Sequence, residues 1–230
     1  MCPPNRLPWP LPIAVRMVCG LGTNTHVTVL MANLRQAPDG QAPTGWADLA
    51  DPKWKGKIVI PDPERSSAAF VALYGLQAHL GRELLEKIAR NAIIVGTTSA
   101  AYEGVAKGEF AVAVTMEYAA YEYVAGGLKE IKLVYPVEGT FLSPEGMALI
   151  KNGKHPEAAR TLYDFLASRR TQTEVFKSAY RRPLRTDIDV SQLANLPALA
   201  SIRILPLDDA QMSDGRADFI AQWRQFASAR

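Results

Sequence analysis

Cysteine and histidine are scarce in this chain of 230 residues, and both scarcities exclude kinds of site. The two cysteines, Cys2 and Cys19, offer neither a disulfide framework nor the ligand spacing of a metal site. The histidines are scattered along the sequence at His26, His79 and His155, so no histidine metal site is indicated. We therefore predict no resident metal and no cofactor.

Long apolar runs and runs of positive charge are also missing. No stretch approaches the ~20 apolar residues that span a bilayer. The net charge is only +3, and the densest basic group, Arg181-Arg182 with Arg185, is more typical of a solvated loop than of a polyanion site. Residues 1–12 lack the charged start and apolar centre of a signal peptide. The sequence thus predicts no nucleic-acid partner and shows no export signal.

Catalytic motifs are equally missing. The chain has no Gly-x-Ser-x-Gly elbow, no His-Glu-x-x-His and no phosphate-loop motif. A serine hydrolase needs a base poised on its nucleophile, and the scattered histidines do not indicate one. We expect a non-catalytic protein, with a serine-dependent hydrolase as the weaker alternative.

What is present is an alternation of strand and helix patterns, which predicts an α/β fold. The clearest part of it lies between Trp46 and Leu80. There the apolar, β-branched run in Lys57–Pro61 predicts a buried strand, and Asp62-Pro63 ends it. One of the two serines that follow, Ser66 or Ser67, is suited to cap the next helix.

A strand that leads into a small polar turn and a helix start is a ready site for an anion. The first helical N–H groups lack internal partners, and the helix dipole is positive there. A second such turn, Gly96–Ser99, follows the predicted strand Ile93–Val95, and ligands of α/β proteins lie beyond strand carboxyl ends. Two interpretations stay open: Ser66, Ser67 and Thr98 bind a ligand, or they only cap helices.

The remaining pattern predicts further elements along the chain. They are one or two strands in Ile13–Leu34 with a break at Gly20–Gly22, helices Arg82–Arg90, Ala100–Lys107 and Ala119–Ala125, strands Phe110–Thr115, Ile131–Tyr135 and Gly146–Ile150, and helices from Pro156, over Thr171–Ala179 and over Ser213–Ser228. We expect the strands at Lys57–Pro61, Ile93–Val95 and Phe110–Thr115 to share one sheet.

An ordered set of short motifs also runs through the chain. It comprises Trp46–Leu49, Asp51–Lys57, Asp62-Pro63, Ser66–Ala68, Gly108-Glu109, Tyr135-Pro136, Glu138–Thr140 and Arg182-Pro183. The set resembles family 1 extracellular solute-binding proteins, the ligand-capturing subunits of ABC importers. It is most similar to the branch for ferric iron, phosphonates and phosphorylated small molecules, and it extends from about Pro43 to the C-terminus.

The resemblance implies a type II periplasmic-binding fold with two lobes and a ligand in the cleft between them. Residues 1–45 would form a leader together with the remnant of the first lobe and the hinge crossing, and residues 46–139 would form the second α/β lobe. Residues 140–185 would be a return segment that belongs to the first lobe, and residues 186–230 would be a tail packed on the second lobe. Members of the family are longer than this chain, so we expect a truncated first lobe, and a fragment unable to bind is the alternative. The resemblance also implies a monomer, a membrane permease as partner and a periplasmic location for the full-length parent.

The resemblance further assigns residues that bind a small anionic solute, such as a phosphonate, a phosphorylated compound or a ferric-anion complex. Ser66, Ser67 and the backbone N–H of Ala68 would hold the oxygens of the solute. Thr98 would add a hydroxyl to the same site.

Glu117 and Tyr118 lie where the ferric-binding members have two adjacent tyrosines that ligate iron. The resemblance implies that Glu117 pairs with an amine or coordinates a metal, and that Tyr118 contacts the ligand. A hard ferric ion accepts carboxylate and phenolate oxygen alike, but the departure from paired tyrosines disfavours iron. We expect oxyanions or phosphorylated compounds to bind in preference to ferric ion.

Overall fold

The computed structural model describes residues 20–150 and 152–228. Within these residues, no helix combines the length and the apolarity that a membrane span requires. Cys2, Cys19 and the Ile13–Val18 part of the predicted strand region fall outside the described residues.

Contacts divide the chain into two compact units. Unit 1 comprises Met1–His26 and Pro144–Ser201, and unit 2 comprises Val27–Ser143 and Ile202–Arg230. Unit 2 extends beyond the predicted boundaries 46–139, because the segment after His26 pairs within its sheet. Residues 186–201 group with unit 1, where the guanidinium of Arg182 donates to the carbonyl oxygen of Pro197 at 2.8 Å.

The strands and helices alternate along the chain. The strands are β1 (Gly20–Asn33), β2 (Ile58–Pro61), β3 (Ala92–Val95), β4 (Val112–Met116), β5 (Ile131–Val134), β6 (Leu142–Ala148) and β7 (Arg182–Pro183). The helices are α1 (Ser67–Leu80), α2 (Arg82–Asn91), α3 (Thr98–Lys107), α4 (Glu117–Ala125), α5 (Pro156–Ala167), α6 (Arg169–Ala179), α7 (Asp209–Asp214) and α8 (Arg216–Ser228). The predicted α/β class is therefore confirmed.

The sheet of unit 2 orders its strands as β3-β2-β4-β1-β5. Strand β2 is parallel to β3 and to β4, with Ile58 opposite Val112, which confirms the predicted single sheet. The second half of β1 is antiparallel to both β4 and β5. Strands β2, β3, β4 and β5 consequently run in one direction and end at the same edge.

Apolar side chains from α1, α2 and α8 share one core with this sheet. Helix α8 contributes three buried aromatic residues, Phe219, Trp223 and Phe226. The ring of Phe219 meets the ring of Phe70 on α1 edge-on, with centroids 5.5 Å apart. Edge-to-face aromatic pairs are favourable, so these contacts fasten the C-terminal helix to the unit.

Unit 1 contains the start of β1 together with β7, α5 and α6. Asn24 of β1 lies opposite Pro183 of β7 in an antiparallel pair. Helix α5 begins with Pro156, as predicted, because the fixed φ of proline suits the first helical position and no N–H is needed there. Ser168 caps α6 by accepting a hydrogen bond from the N–H of Thr171 at 3.2 Å.

A polar cluster joins β1 to β6 within unit 1. Nε2 of His26 lies 2.6 Å from Oε1 of Glu145, and the amide nitrogen of Asn24 donates to Oε2 at 2.7 Å. Arg181 donates to the same Oε2 at 3.1 Å. Burial by itself raises the pKa of the Glu145 carboxyl, but the hydrogen bonds from His26 and Asn24 outweigh it and hold that pKa below its usual value.

The largest differences between the predicted and the observed strands are in β1 and β6. Gly20–Gly22, where a break was predicted, belong to strand β1, because the preference of a residue for strand depends strongly on its context. Strand β6 spans Leu142–Ala148 instead of Gly146–Ile150, because its limits are set by pairing with β1.

The predicted helix Ser213–Ser228 is interrupted in the structure. It consists of the end of α7 followed by α8, with Gly215 between them. The N–H of Gly215 donates to the carbonyl oxygen of Gln211 at 2.9 Å and closes α7. The glycine thus ends one helix where the apolar pattern predicted a continuous one.

Candidate functional site

Helices α1, α3 and α4 begin directly beyond the carboxyl ends of β2, β3 and β4. Because those strands are parallel neighbours, the three positive helix ends lie at one edge of the unit 2 sheet. Helix α3 begins earlier than predicted, at Thr98, because Thr97 caps it by accepting from the N–H of Ala100. Helix α4 also begins earlier than predicted, at Glu117. The six residues predicted to bind ligand all lie at this edge.

Ser66 and Thr98 come together at this edge from separate turns. The Oγ of Ser66 accepts a hydrogen bond from the N–H of Ala69 at 3.2 Å, so Ser66 is the cap of α1. The same Oγ lies 2.9 Å from Oγ1 of Thr98, within hydrogen-bond distance. Ser66 therefore caps the helix and also forms a hydroxyl pair with a second predicted site residue.

Ser67 and Ala68 occupy the first turn of α1. The cap accounts for the N–H of Ala69, and the carbonyl oxygen of Ser66 accepts from the N–H of Phe70. No described residue accepts a hydrogen bond from the N–H of Ser67 or Ala68. Ser67 is exposed and Ala68 is half-buried, so both donors lie where a solute can reach them.

Glu117 and Tyr118 form the first turn of α4. Glu117 is buried, and the hydroxyl of Tyr135 donates to its Oε1. Tyr118 is half-buried beside it. Tyr135 follows β5, so the contact joins the ends of two strands that run in the same direction. Sequence reasoning missed this role, since Tyr135 was noted only as part of a motif and no local pattern connects it to Glu117.

A small pocket lies beside the start of α1. Its volume is about 10 Å³, close to the least that holds one water molecule. Residues Thr28, Ala68, Ala69, Thr98 and Thr115 contribute to its lining. Thr28 and Thr115 were not predicted as site residues. The sequence feature that could have indicated Thr115 is its place as a polar residue at the end of the apolar strand Phe110–Thr115.

Comparison with known families gives one match that spans most of the chain. The model of a family described as bacterial extracellular solute-binding protein matches residues 19–212. An uncharacterized protein of Haemophilus influenzae is 24% identical over 182 residues, which are 76% of this chain and 50% of that relative. The chain thus spans about half the length of this curated relative.

Solved structures show the same fold. The periplasmic binding protein AfuA from Actinobacillus pleuropneumoniae, with fructose-6-phosphate bound, matches with a TM-score of 0.78 and 22% identity over 92% of this chain and 69% of AfuA. Iron-bound HitA from Pseudomonas aeruginosa matches with a TM-score of 0.72 and 20% identity over 90% of this chain and 69% of HitA. The predicted type II periplasmic-binding fold is thereby confirmed.

Proposed function

Since this chain belongs to the bacterial extracellular solute-binding protein family, we propose that it captures a small anionic solute for an ABC importer. Proteins of this family bind solutes and are not enzymes, in agreement with the prediction of a non-catalytic protein. The proposed site is the edge of unit 2 at the start of α1. The proposed partner is the membrane permease, and the proposed location is the extracellular or periplasmic space.

The observation that carries this proposal is the hydroxyl pair of Ser66 and Thr98 at a helix N-terminus. Beside it are the N–H groups of Ser67 and Ala68, which have no acceptor among the described residues. Backbone N–H groups at the positive end of a helix bind anionic oxygen without a positively charged side chain. Two hydroxyls next to two such donors suit a group with several oxygens, such as a phosphate or phosphonate.

We further propose a phosphorylated small molecule or phosphonate as the solute in preference to ferric ion. Glu117 has one carboxylate oxygen engaged by Tyr135, which leaves fewer oxygen ligands for a metal. Among the described residues, no cluster of three or more His, Cys, Asp and Glu side chains is placed to hold a metal ion. AfuA with fructose-6-phosphate bound and iron-bound HitA both share the fold, so the choice of solute rests on the residues of the site.

Phosphate, fructose-6-phosphate and methylphosphonate are expected to raise the melting temperature of the full chain more than ferric citrate does. A ligand at a hundred times its Kd stabilises a protein by about 2.7 kcal/mol, which a thermal-shift measurement detects. A purple-red tyrosinate band with stoichiometric iron, lost in Tyr118→Phe, would instead identify ferric ion as the solute. If no anion shifts the transition, the alternative of a chain unable to bind by itself is favoured.

Replacing Ser66 and Ser67 by alanine is expected to weaken phosphate binding at least roughly tenfold. A hydrogen bond to a charged group contributes about 1.5–3 kcal/mol, and ~1.4 kcal/mol is one decade in affinity. Titration calorimetry of Ser66→Ala/Ser67→Ala measures the change in affinity. The single variant Ser67→Ala separates the contribution of the exposed Ser67 hydroxyl from that of the Ser66 hydroxyl, which is paired with Thr98.

Loss of a helix cap is a separate effect that needs its own control. Ser168 caps α6 in unit 1 through the same bond, at the same 3.2 Å, as Ser66 makes in α1. Ser168→Ala should cost about 1 kcal/mol of stability and leave phosphate affinity unchanged. If Ser66→Ala/Ser67→Ala behaves in the same way, the serines are caps only and the proposed site is wrong.

A further inference from the structure

The turn between β2 and α1 carries the proposed site and is built on Asp62. The carbonyl oxygen of Asp62 accepts from the N–H groups of Arg65 at 3.0 Å and of Ser66 at 2.9 Å. Its Oδ1 accepts from the N–H of Glu64 at 3.0 Å. The N–H of Asp62 donates to the carbonyl oxygen of Val95 at 2.8 Å, next to the last pair of β2 and β3. These bonds hold the backbone of the turn up to the residue that caps α1.

A residue near the other end of the chain holds the same turn from outside. Arg224 of α8 donates from Nε to Oε1 of Glu64 at 2.8 Å and from Nη2 to Oε2 at 2.6 Å. The two residues are 160 positions apart in the sequence, and both belong to unit 2. One guanidinium thus binds both oxygens of the carboxylate, in the forked geometry that sets direction as well as distance.

The pair lies at the surface, where most ion pairs contribute little. The side chain of Arg224 is 66% exposed and that of Glu64 is 30% exposed. A bidentate arginine–carboxylate pair is the exception to this rule, because its planar fork is preorganised. The hydrogen bonds from Arg224 also hold the pKa of the Glu64 carboxyl below its ordinary value, so the carboxylate stays charged at neutral pH. The helix behind the pair is anchored, since the neighbouring Trp223 is buried in the core.

We propose that Arg224 is a positioning residue for the anion site and acts through Glu64 on the turn that ends at Ser66. This inference rests on the proposed function of that site and adds the C-terminal helix to it. The N–H groups of Ser67 and Ala68 follow directly on the turn, so a shift at Glu64 also moves these donors. A site that is held in its binding geometry binds more tightly, because less freedom is lost when the anion enters.

Position and charge give opposite expectations for one substitution. Glu64→Gln removes a negative charge near the anion and leaves the positive charge of Arg224 without its carboxylate. If the pair acted only through its charges, this variant would bind phosphate more tightly than the unmodified chain. Glutamine has one side-chain oxygen, so the fork is lost, and a positioning role requires weaker binding instead.

The test is titration calorimetry of the full chain with inorganic phosphate as the probe. Arg224→Gln and Glu64→Gln should each weaken binding by roughly three- to tenfold. The double variant should lose no more than either single variant, because all of them remove the same contact. Arg224→Lys keeps the charge without the fork and should recover only part of the affinity.

Arg90→Gln is the matched control, because Arg90 on α2 pairs with Glu86 at the same 2.6 Å and with similar exposure. It removes the same charge and should leave phosphate affinity unchanged. If Arg224→Gln behaves like Arg90→Gln, or if Glu64→Gln binds phosphate more tightly than the unmodified chain, Arg224 does not position the site. The proposed function stands in that case if Ser66→Ala/Ser67→Ala binds weakly. If the unmodified chain binds no phosphate, both fail.

Discussion

Ala68→Asp is expected to abolish measurable anion binding while leaving the fold at least as stable. Ala68 lies half-buried in the first turn of α1 and lines the pocket. A carboxylate there opposes a bound anion by about 4 kcal/mol at a separation of ~4 Å and an effective dielectric constant of ~20. That repulsion corresponds to roughly a thousandfold loss of affinity. The same carboxylate is favourable near a helix N-terminus, by about 0.3–1 kcal/mol, so the melting temperature should hold or rise.

The matched control is Ala68→Asn, which has nearly the same size and no charge. It should lose far less phosphate affinity than Ala68→Asp, because asparagine has no negative charge to repel the bound phosphate. Calorimetric titration with phosphate and with ferric citrate measures both variants. If the aspartate leaves phosphate affinity intact, or strengthens ferric binding instead, the site does not hold an anion.

Trp223→Ala is expected to lower the free energy of unfolding by about 3–5 kcal/mol. Trp223 of α8 is 2% exposed within the core that α1 and α2 share with the sheet of unit 2. Removal of its indole leaves a cavity that Phe219 and Phe226, its aromatic neighbours on the same helix, cannot fill. For a chain of this length, each kcal/mol lowers the melting temperature by about 2–4 °C, so a fall on the order of 10 °C is expected.

Gln225→Ala provides the comparison on the same helix, because Gln225 is exposed. Its effect should stay within about 0.5 kcal/mol. Circular dichroism melts of the two variants give the difference. Equal melting temperatures would mean that α8 does not pack on unit 2 in solution.

Local chemistry was sufficient to predict the strand, turn and helix around Ser66. A run of β-branched residues ends at Asp62-Pro63, and a serine follows where the next helix needs a cap. Each of these signals acts within a few residues, so the sequence alone indicates both the element and its start. That the strands of Ile58 and Val112 share one sheet also follows, because apolar strands separated by helices form parallel sheets.

The sequence by itself determined that this chain is an α/β protein with small polar residues at helix starts beyond its strands. Only the tertiary structure decided that the hydroxyls of Ser66 and Thr98, 32 residues apart, are within 2.9 Å, because that distance depends on the order of the strands in the sheet. It likewise decided that Tyr135 reaches Glu117 and that the buried hydroxyl of Thr115 has no hydrogen-bond partner among the described residues. Burial and hydrogen bonding at these positions arise from packing between elements distant in sequence, and no pattern of neighbouring residues encodes them.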